Sequence, residues 1–423
     1  MKITLVRPTI PTRWLIMPPL GLMYISAVAK KSGHEVAIHD AWLKNESPVL
    51  SSAEVLCLHG DSDIVGIQMF GDTVEWTRKF ISNLRKIYNG KIIIGGPYPS
   101  VVPNQAVEET GADLSVVGEF DNNIDNALYQ IMHTSEQVTT MSTTDINNTP
   151  IPDWDIAPPS DYWDSLYSVS QPVKGKRIAV IQRTRGCPSM CTFCSASSVM
   201  GKKVRFRDDD NVLEEIKYLR DKWDINEIWF GDDNFIVNYD KGITLFEKLI
   251  PLKLHIRLPL GIRVENIDVP MVRTMKAAGV YFTGIGIESG NMRVIKRIKK
   301  NIQPAKMNYA INILNKYNIT TIGFFIFGLP TETRVEMDDT IKFAMSTKLN
   351  HAQIGTFLAY PGAEDCNEKS LLSQEELIKI QRNATLRFYL RPRILWGLLK
   401  HAKLSQLKAF WNHYWIRKWM GRM

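Results

Sequence analysis

Short apolar runs alternate with amphipathic stretches of helical spacing over the first 130 residues of the chain. The runs of strand length occupy residues 3–6, 36–38, 65–69, 92–94 and 115–117. Strands that alternate with helices form parallel sheets, so this pattern predicts an α/β domain with a doubly wound, Rossmann-like parallel sheet. Each run ends in glycine, proline or a small polar residue, and such sheets bind ligands at their carboxyl edge. We therefore predict a ligand-binding first domain over residues 1–135.

A second series of strand and helix patterns follows a polar, proline-rich stretch. The stretch covers residues 136–175 and has the composition of a linker. Six further apolar runs occupy residues 177–182, 227–230, 255–261, 284–287, 321–327 and 352–358. Six strand and helix units predict a partial (β/α)6 barrel of the TIM type over residues 176–365, with the strand ends converging on one mouth. Residues 366–423 are predicted to form a helical C-terminal region.

The net charge of +8 is concentrated in this C-terminal region. Residues 379–423 contain eleven lysines and arginines and no acidic residue, which leaves the remainder with three more acidic than basic residues. The basicity is therefore local, and a nucleic-acid partner is not expected. The region is rich in tryptophan (Trp396, Trp411, Trp415 and Trp419). Two interpretations stay open: a helix on an anionic membrane surface, or a tail packed across the barrel mouth, which we favour.

The composition, 44% apolar and 23% charged, is that of a soluble globular protein. The sequence shows neither an apolar run long enough to cross a bilayer nor the pattern of a signal peptide. We therefore expect a cytoplasmic protein, with membrane association left open through the C-terminal region.

Three of the five cysteines lie within eight residues, in Cys187-Pro-Ser-Met-Cys191-Thr-Phe-Cys194, directly after a predicted strand. Three thiolates on one loop can ligate three irons of a [4Fe–4S] cluster and leave the fourth iron open to another molecule. A zinc site would need a fourth cysteine or histidine, and none follows Cys194 closely. The spacing predicts an iron–sulfur cluster, with an incomplete zinc site or coincidence as the alternatives.

This spacing, with Phe193 before the last cysteine, resembles that of the radical S-adenosylmethionine (SAM) enzymes. The resemblance continues through residues 230–235, 261–265, 286–290, 323–330 and 358–362. It implies that SAM binds the open iron and is cleaved reductively to a 5′-deoxyadenosyl radical. It also implies SAM contacts by Phe193, Asp232, Asp233, Arg263, Glu288, Phe325 and Tyr360.

Several of these residues also have a structural interpretation. Asp232 and Asp233 could be helix N-caps, Arg263 could form a surface ion pair, and Glu288 could cap a helix beginning near Asn291. Arg205 and Arg207 match a basic segment that follows the cysteines in many relatives, although an exposed cationic strand is the simpler interpretation.

The first domain resembles the cobalamin-binding domain of the cobalamin-dependent branch of that family. The matching segments are residues 19–22, 32–36, 95–97 and 118–119. The resemblance implies cobalamin contacts by Met69, Phe70, Gly95, Gly96, Pro97, Tyr98, Gly118 and Glu119. The Asp-x-His-x-x-Gly motif that supplies a cobalt ligand in the methionine-synthase type is absent. The alternative is a vestigial module that binds no corrin.

Together the resemblances imply three cofactors: a [4Fe–4S] cluster, SAM and cobalamin. The implied activity is C-methylation of an unactivated carbon through the 5′-deoxyadenosyl radical and methylcobalamin. A cobalamin-dependent radical rearrangement or cyclisation stays open, as does a redox or cobalamin sensor. A methylthiotransferase is disfavoured because Cys57 and Cys366 are isolated. The expected partners are a small-molecule or lipid substrate and an external electron donor of the flavodoxin or ferredoxin type.

Overall fold

The computed structural model describes residues 1–11, 15–119, 124–143, 145–147, 149–167 and 173–394. Among these residues, none of the helices combines the length and the apolar character needed to cross a bilayer.

Six parallel strands form the first sheet: β1 (Lys2–Arg7), β2 (Glu35–Asp40), β3 (Ile64–Gln68), β4 (Lys91–Gly95), β5 (Leu114–Gly118) and β6 (Val138–Met141). They lie in the order β2-β1-β3-β4-β5-β6, which confirms the predicted parallel sheet. Strand β6 lies within residues 136–175, the stretch assigned to a linker, and Val138 pairs with Ser115 of β5. Its side chains are only partly buried or exposed, so this edge strand carries no apolar run that marks it in the sequence.

Seven helices flank this sheet: α1 (Leu20–Lys31), α2 (Ala41–Lys44), α3 (Pro48–His59), α4 (Val74–Leu84), α5 (Pro97–Val101), α6 (Pro103–Thr110) and α7 (Ile124–His133). Successive side chains of a strand point to opposite faces, so the sheet has a core on each side. On β3, Val65 and Ile67 pack into one of these cores and Ile64 into the other. Two covered faces are the expected result for a doubly wound sheet.

The strands that follow include the six strands of the second sheet. They are β7 (Ile178–Ile181), β8 (Thr184–Arg185), β9 (Arg205–Phe206), β10 (Glu227–Phe230), β11 (His255–Ile262), β12 (Val280–Glu288), β13 (Thr320–Phe327) and β14 (His351–Thr356). Six of them are parallel in the order β14-β13-β12-β11-β10-β7, and β8 and β9 form a separate antiparallel pair. Each long strand lies beside its neighbours in sequence, which is the connectivity predicted for a partial barrel.

The remaining helices are α8 (Trp163–Tyr167), α9 (Ala196–Met200), α10 (Asp209–Trp223), α11 (Tyr239–Leu249), α12 (Val269–Ala277), α13 (Met292–Arg297), α14 (Pro304–Lys316), α15 (Arg334–Ser346) and α16 (Gln374–Tyr389). Helix α16 begins with a capping box between Ser373 and Glu376. The tryptophans predicted for the C-terminal helix (Trp396, Trp411, Trp415 and Trp419) lie outside the described residues.

The stretch between the two sheets packs as part of the structure. Trp154 and Tyr162 are buried in the core of the second sheet, and the same core includes Met23 of α1. The Trp154 indole donates to Glu215 at 3.0 Å, and the Tyr162 hydroxyl donates to Asp40 of β2 at 2.8 Å. The two sheets are therefore joined through a shared apolar core and through buried hydrogen bonds.

Candidate active site

The three clustered cysteines lie on one loop between β8 and α9. Gly186 begins the loop at φ +99°, and a Cβ there would lie 2.5 Å from the Lys203 carbonyl oxygen. This close approach requires glycine. The Cys187 amide donates to the Gly201 carbonyl at 3.1 Å, and the Cys194 amide donates to the Cys191 carbonyl at 3.1 Å. The loop thus presents three thiols from one short, hydrogen-bonded segment.

Asp365 ties this cysteine loop to the end of the barrel. Its carboxylate accepts from the Thr192 hydroxyl at 2.5 Å and from Arg297 Nη2 at 2.8 Å. The Asp365 amide donates to the Thr192 carbonyl at 2.8 Å, and the Thr192 amide donates to the Ile298 carbonyl at 3.2 Å. Sequence reasoning missed Asp365 and Arg297, because their contact with the loop spans more than a hundred residues and follows no local motif.

Asp232, a predicted SAM contact, holds the strand that leads to the cysteine loop. It is 1% exposed and accepts from the Thr184 hydroxyl at 2.7 Å and from the Arg183 amide at 3.1 Å. Burial raises the pKa of Asp232 to about 6, although these hydrogen bonds oppose the shift. The N-cap of α11 is Asn238, so the interpretation of Asp232 and Asp233 as helix caps is wrong.

Asp233 lies on the cysteine side of the same strand end. The pKa of the Cys194 thiol is raised, mainly by burial and also by the negative charge of Asp233. Burial raises the pKa of Asp233 as well. The charge of Asp233 therefore acts on the Cys194 thiol.

Arg263 reaches the cysteine loop from the end of β11. Its Nη1 atom donates to the Ser189 hydroxyl at 2.9 Å and lies 3.9 Å from Cys191 Sγ. Its Nη2 atom donates to the Lys300 carbonyl at 3.0 Å. Arg263 also pairs with Glu265, as a surface ion pair would. Its guanidinium also lies beside Cys191, and its contact with SAM stays a prediction.

Lys300 places a second cation beside the same loop, and sequence reasoning missed it. Its ammonium donates to Glu288 Oε1 at 2.7 Å, and both side chains are buried. Burial raises the pKa of the Cys191 thiol, and the charges of Lys300 and Arg263 oppose that shift. Glu288 has φ +64° at an irregularity in the pairing of β12 with β13. The α13 cap is Asn291, so the interpretation of Glu288 as that cap is wrong.

The three predicted aromatic contacts occupy different environments. Phe193 is partly buried against the large core. Tyr360 is 53% exposed, and the charge of Asp72 in the first domain adds to the burial that raises its pKa. Phe325 is packed among Ile341, Ala344, Ile354 and Phe388, in the layer between β13 and the helices. Phe324 points to the opposite face by strand alternation, so it is the aromatic side chain on the inner side, next to Gly284.

The predicted cobalamin edge is formed by the loops after β3 and β4. The Met69 amide donates to the Gly95 carbonyl at 2.7 Å, and the Tyr98 amide donates to the Met69 carbonyl at 3.2 Å. Gly96 has φ +101°, and a Cβ there would lie 3.2 Å from the Met69 backbone. Phe70 and Pro97 flank these residues as the start of a 3₁₀ turn and of α5. The backbone after β4 is bare at Gly95 and Gly96, which fits a large planar ring lying close to it.

The side chains of Tyr98 and Glu119, two of the predicted cobalamin contacts, bind groups of the protein. The Tyr98 hydroxyl donates to Glu109 at 2.8 Å, and burial raises its pKa to about 12. The Glu119 carboxylate pairs with Arg185 and Arg205 of the second domain. Gly118 has φ +87°, and a Cβ there would lie 2.3 Å from the Met141 carbonyl oxygen. The lack of space for a side chain at Gly118 is therefore explained by the neighbouring strand β6 and not by a ligand.

The basic segment after the cysteines is not an exposed strand, contrary to the simpler interpretation. Arg207 is buried, and its Nη1 atom donates to Glu215 at 2.5 Å and to the Tyr24 hydroxyl at 3.2 Å. Arg205 is largely buried against Glu119. Both arginines are therefore structural contacts between elements of the chain.

Comparison with known proteins identifies both domains. The model of the B12 binding domain matches residues 7–128, and the model of the radical SAM superfamily matches residues 181–344. An uncharacterized methyltransferase of Pyrococcus horikoshii is 28% identical over 93% of this chain and 94% of its own length. The cytidylyl-2-hydroxyethylphosphonate methyltransferase of Streptomyces wedmorensis is 25% identical over 85% of this chain and 79% of its own.

Solved structures share the fold. The radical SAM methyltransferase TsrM from Kitasatospora setae, with cobalamin and a [4Fe–4S] cluster bound, superposes with a TM-score of 0.71. It is 14% identical, over 86% of this chain and 74% of its own. The cobalamin-dependent radical SAM enzyme OxsB gives a TM-score of 0.68 at 15% identity, over 91% of this chain and 56% of its own.

The side chains described above fit the cofactors that these domains imply. Three thiols on one loop, with Arg263 and Lys300 beside Cys191, suit a [4Fe–4S] cluster and the carboxylate of SAM. The glycine-rich edge after β4 suits cobalamin. This chain therefore carries a B12 binding domain ahead of a radical SAM domain, the pair of domains that a cobalamin-dependent radical SAM enzyme requires.

Proposed function

We propose that this enzyme is a C-methyltransferase that acts on an unactivated carbon atom. The observation that carries the proposal is the meeting of the carboxyl edges of the two sheets. A Cβ at Gly362, after β14, would lie 2.1 Å from Val101 of α5 and 3.2 Å from Ser198 of α9. Helix α5 follows the predicted cobalamin edge and α9 follows the cysteine loop, so the two predicted cofactor sites lie on neighbouring segments.

The chemistry of the bound cofactors accounts for this arrangement. When bound, the cluster with SAM supplies an oxidant that removes a hydrogen atom from carbon, and cobalamin supplies a methyl group. The protein holds the reacting groups in one protected space, which lowers the entropic cost of bringing them together. The names of the methyltransferases of Pyrococcus horikoshii and Streptomyces wedmorensis agree with this proposal.

The charged residues around the cysteine loop would bind and orient SAM. Arg263 and Lys300 supply positive charge beside Cys191, which suits the carboxylate of the methionyl group. Asp233 lies near Cys194 and supplies negative charge, which suits the methionyl ammonium. Charges of opposite sign on the two sides of the loop would favour one orientation of SAM over the reverse.

A radical rearrangement or cyclisation is the second candidate. The anaerobic magnesium-protoporphyrin IX monomethyl ester cyclase of Cereibacter sphaeroides is 23% identical to this chain, over 96% of it and 69% of that protein. Such a reaction would use the same cofactor edges without transferring a methyl group. The distinction between the two activities is therefore in the products and not in the fold.

The proposal extends to partners and location. One electron must reach the cluster from outside, because reductive cleavage of SAM consumes an electron at every turnover. We infer an external donor of the flavodoxin or ferredoxin type, a small-molecule or lipid substrate, and action in the cytoplasm. Contact of the C-terminal region with a membrane surface stays the alternative to the interpretation that the sequence favours.

Anaerobic reconstitution tests the function directly. The protein is loaded with iron, sulfide and aquacobalamin, reduced with titanium(III) citrate and given SAM, and 5′-deoxyadenosine, S-adenosylhomocysteine and bound corrin are measured. We expect both nucleoside products and bound corrin from the wild type. Cys191→Ala should abolish 5′-deoxyadenosine, whereas Cys57→Ala, an exposed cysteine outside the loop, should retain it. Deoxyadenosine without S-adenosylhomocysteine would favour the second candidate, and deoxyadenosine without corrin would contradict the cobalamin dependence.

A further inference from the structure

Glu119 belongs to the first domain but binds arginines of the second. It follows β5 directly, at the carboxyl edge of the first sheet. Arg205 of β9 approaches it as a fork, with Nη1 2.8 Å from Oε2 and Nη2 2.7 Å from Oε1. Arg185 of β8 adds a third bond from its Nη1 atom to Oε2, at 3.0 Å. A bidentate pair of this kind is the strongest and most directional ion-pair geometry available to a carboxylate.

The group is shielded from water. The side chains of Glu119, Arg185 and Arg205 are 16%, 9% and 14% exposed. Buried charge pairs are screened much less by salt than surface pairs, and the loss of one partner leaves the other charge buried without compensation. The three residues therefore form a strong contact between the domains.

The arginine side of this contact is attached to the cysteine loop. Arg185 lies two residues before Cys187, and β8 pairs with β9 through Arg185 and Arg205. Arg205 also donates to the carbonyl of Met200, the last residue of α9, at 2.9 Å. Both ends of the segment that carries the three cysteines are therefore connected to Glu119.

The glutamate side is equally constrained. The Thr143 hydroxyl donates to the Glu119 carbonyl at 3.3 Å, and Arg205 donates to the Thr143 carbonyl. The Gly118 amide donates to the Ser100 hydroxyl of α5 at 3.2 Å. Helix α5 continues directly from Gly95 and Gly96 of the predicted cobalamin edge. A short chain of hydrogen bonds therefore connects that edge to the cysteine loop.

We propose that Glu119 is a positioning residue that fixes the cysteine loop relative to the cobalamin edge, and is not a cobalamin contact. This inference rests on the proposed function, because transfer between two cofactor sites depends on their separation. A displacement of about 1 Å can cost a reaction about a hundredfold in rate. Removal of the Glu119 charge should therefore affect steps that need both domains, and spare steps that need only one.

The test compares Glu119→Gln with Glu119→Asp, Arg205→Lys and the control Glu75→Gln. Glu75 is a matched control because its partners Arg78 and Lys79 lie on its own exposed helix. Each protein is loaded with iron, sulfide and aquacobalamin, and corrin and iron contents are measured. Hydrogen exchange is followed at residues 138–143 and 205–206. Titanium(III) citrate and SAM then give the ratio of S-adenosylhomocysteine, which needs both domains, to 5′-deoxyadenosine, which needs only the second.

Glu119→Gln should keep its corrin and iron, exchange faster at both segments, and show a ratio lowered by about tenfold. Glu119→Asp and Arg205→Lys should fall between it and the wild type, and Glu75→Gln should match the wild type. Loss of corrin with unchanged exchange would overturn the proposal in favour of a cobalamin contact. Unchanged exchange together with an unchanged ratio would overturn it as well.

Failure of the proposed function would look different. If the wild type forms deoxyadenosine but no S-adenosylhomocysteine, methyl transfer is contradicted, and the exchange measurement still decides the role of Glu119. Faster exchange in Glu119→Gln with retained corrin would then support the positioning role, and unchanged exchange would overturn it.

Discussion

At the scale of single residues, Lys300 and Glu288 form a buried pair beside the cysteine loop. Their side chains are 6% and 9% exposed, and the distance from Nζ to Oε1 is 2.7 Å. Removal of one member of such a pair leaves an uncompensated charge away from water. The pair therefore makes the geometry around Cys191 sensitive to single substitutions.

Lys300→Met should destabilise the fold by about 3–5 kcal/mol, because Glu288 would lose its cationic partner. Lys299→Met is the matched control, since the exposed pair of Lys299 with Glu364 should contribute less than about 1 kcal/mol. Chemical denaturation of the two variants checks the difference. The double variant Lys300→Met with Glu288→Gln should recover much of the lost stability. An equal loss of stability in Lys300→Met and in Lys299→Met would contradict the assignment.

Glu332 is a second buried carboxylate, and its charge should make stability depend on pH. It is fully buried, its Oε2 atom accepts from the amides of Gly328 and Leu329, and burial raises its pKa to about 7. A carboxyl group with a raised pKa in the folded state holds its proton more tightly there than in the unfolded chain. Its contribution to stability is therefore largest at acidic pH and is lost as the pH rises through about 7.

Glu332→Gln should remove that dependence. A glutamine oxygen can accept the same two amide bonds and carries no charge. Relative to the wild type, the variant should gain stability between pH 5 and pH 8, by up to about 3 kcal/mol. Thermal melts at the two pH values measure this difference, and Glu364→Gln, at an exposed residue, serves as the control. A constant difference between variant and wild type would show that Glu332 does not titrate in this range.

At the scale of elements, the segment after β14 fastens the cysteine loop. Asp365 binds both Thr192 and Arg297, which are separated by more than a hundred residues in the chain. Residues that orient metal ligands commonly contribute ten- to hundredfold to metal retention. The loop's shape therefore depends on an element at the far end of the barrel.

Asp365→Asn should release iron to a chelator about tenfold faster than the wild type, because an amide cannot hold the Arg297 guanidinium as a carboxylate does. Glu364→Gln changes the neighbouring residue, which pairs only with exposed Lys299 among the contacts described, and should leave the rate unchanged. Loss of the iron–sulfur absorbance after addition of the chelator measures both rates. Equal rates would mean that the loop is held without Asp365.

The sequence predicts elements well where burial leaves a pattern, and poorly where contacts are long-range. Eleven of the fourteen strands described are expected from their apolar runs. The exceptions are β6, whose residues Val138–Met141 lie at a partly exposed edge, and the two-residue strands β8 and β9. The cysteines were found by spacing. Lys300 and Asp365 were not, because their roles arise only when distant segments meet. For the same reason the protein partners of Glu119 and Asp232 could not be predicted from the sequence.

At the scale of the whole molecule, the two domains share one core. Met23 of α1 is fully buried in the cluster formed by the second sheet, together with Trp154 and Leu166 from the intervening stretch. Domains that share buried apolar contacts cannot separate without exposing that surface to water. The fold therefore fixes the position of the two carboxyl edges relative to each other, even without a ligand between them.

Met23→Ala should test this coupling, because it removes side-chain volume from the shared core. Truncation of a buried methionine typically costs about 2–5 kcal/mol. Met132→Ala, at an exposed position on α7, should cost little.

Hydrogen exchange in increasing denaturant measures the unfolding of each domain, at β1 and β3 for the first domain and at β11 and β12 for the second. We expect Met23→Ala to lower the protection of both sheets together, since the residue belongs to α1 but packs against the second sheet. Loss of protection confined to the first sheet would mean that the domains unfold as independent units, and that ion pairs such as the one at Glu119 hold them in register.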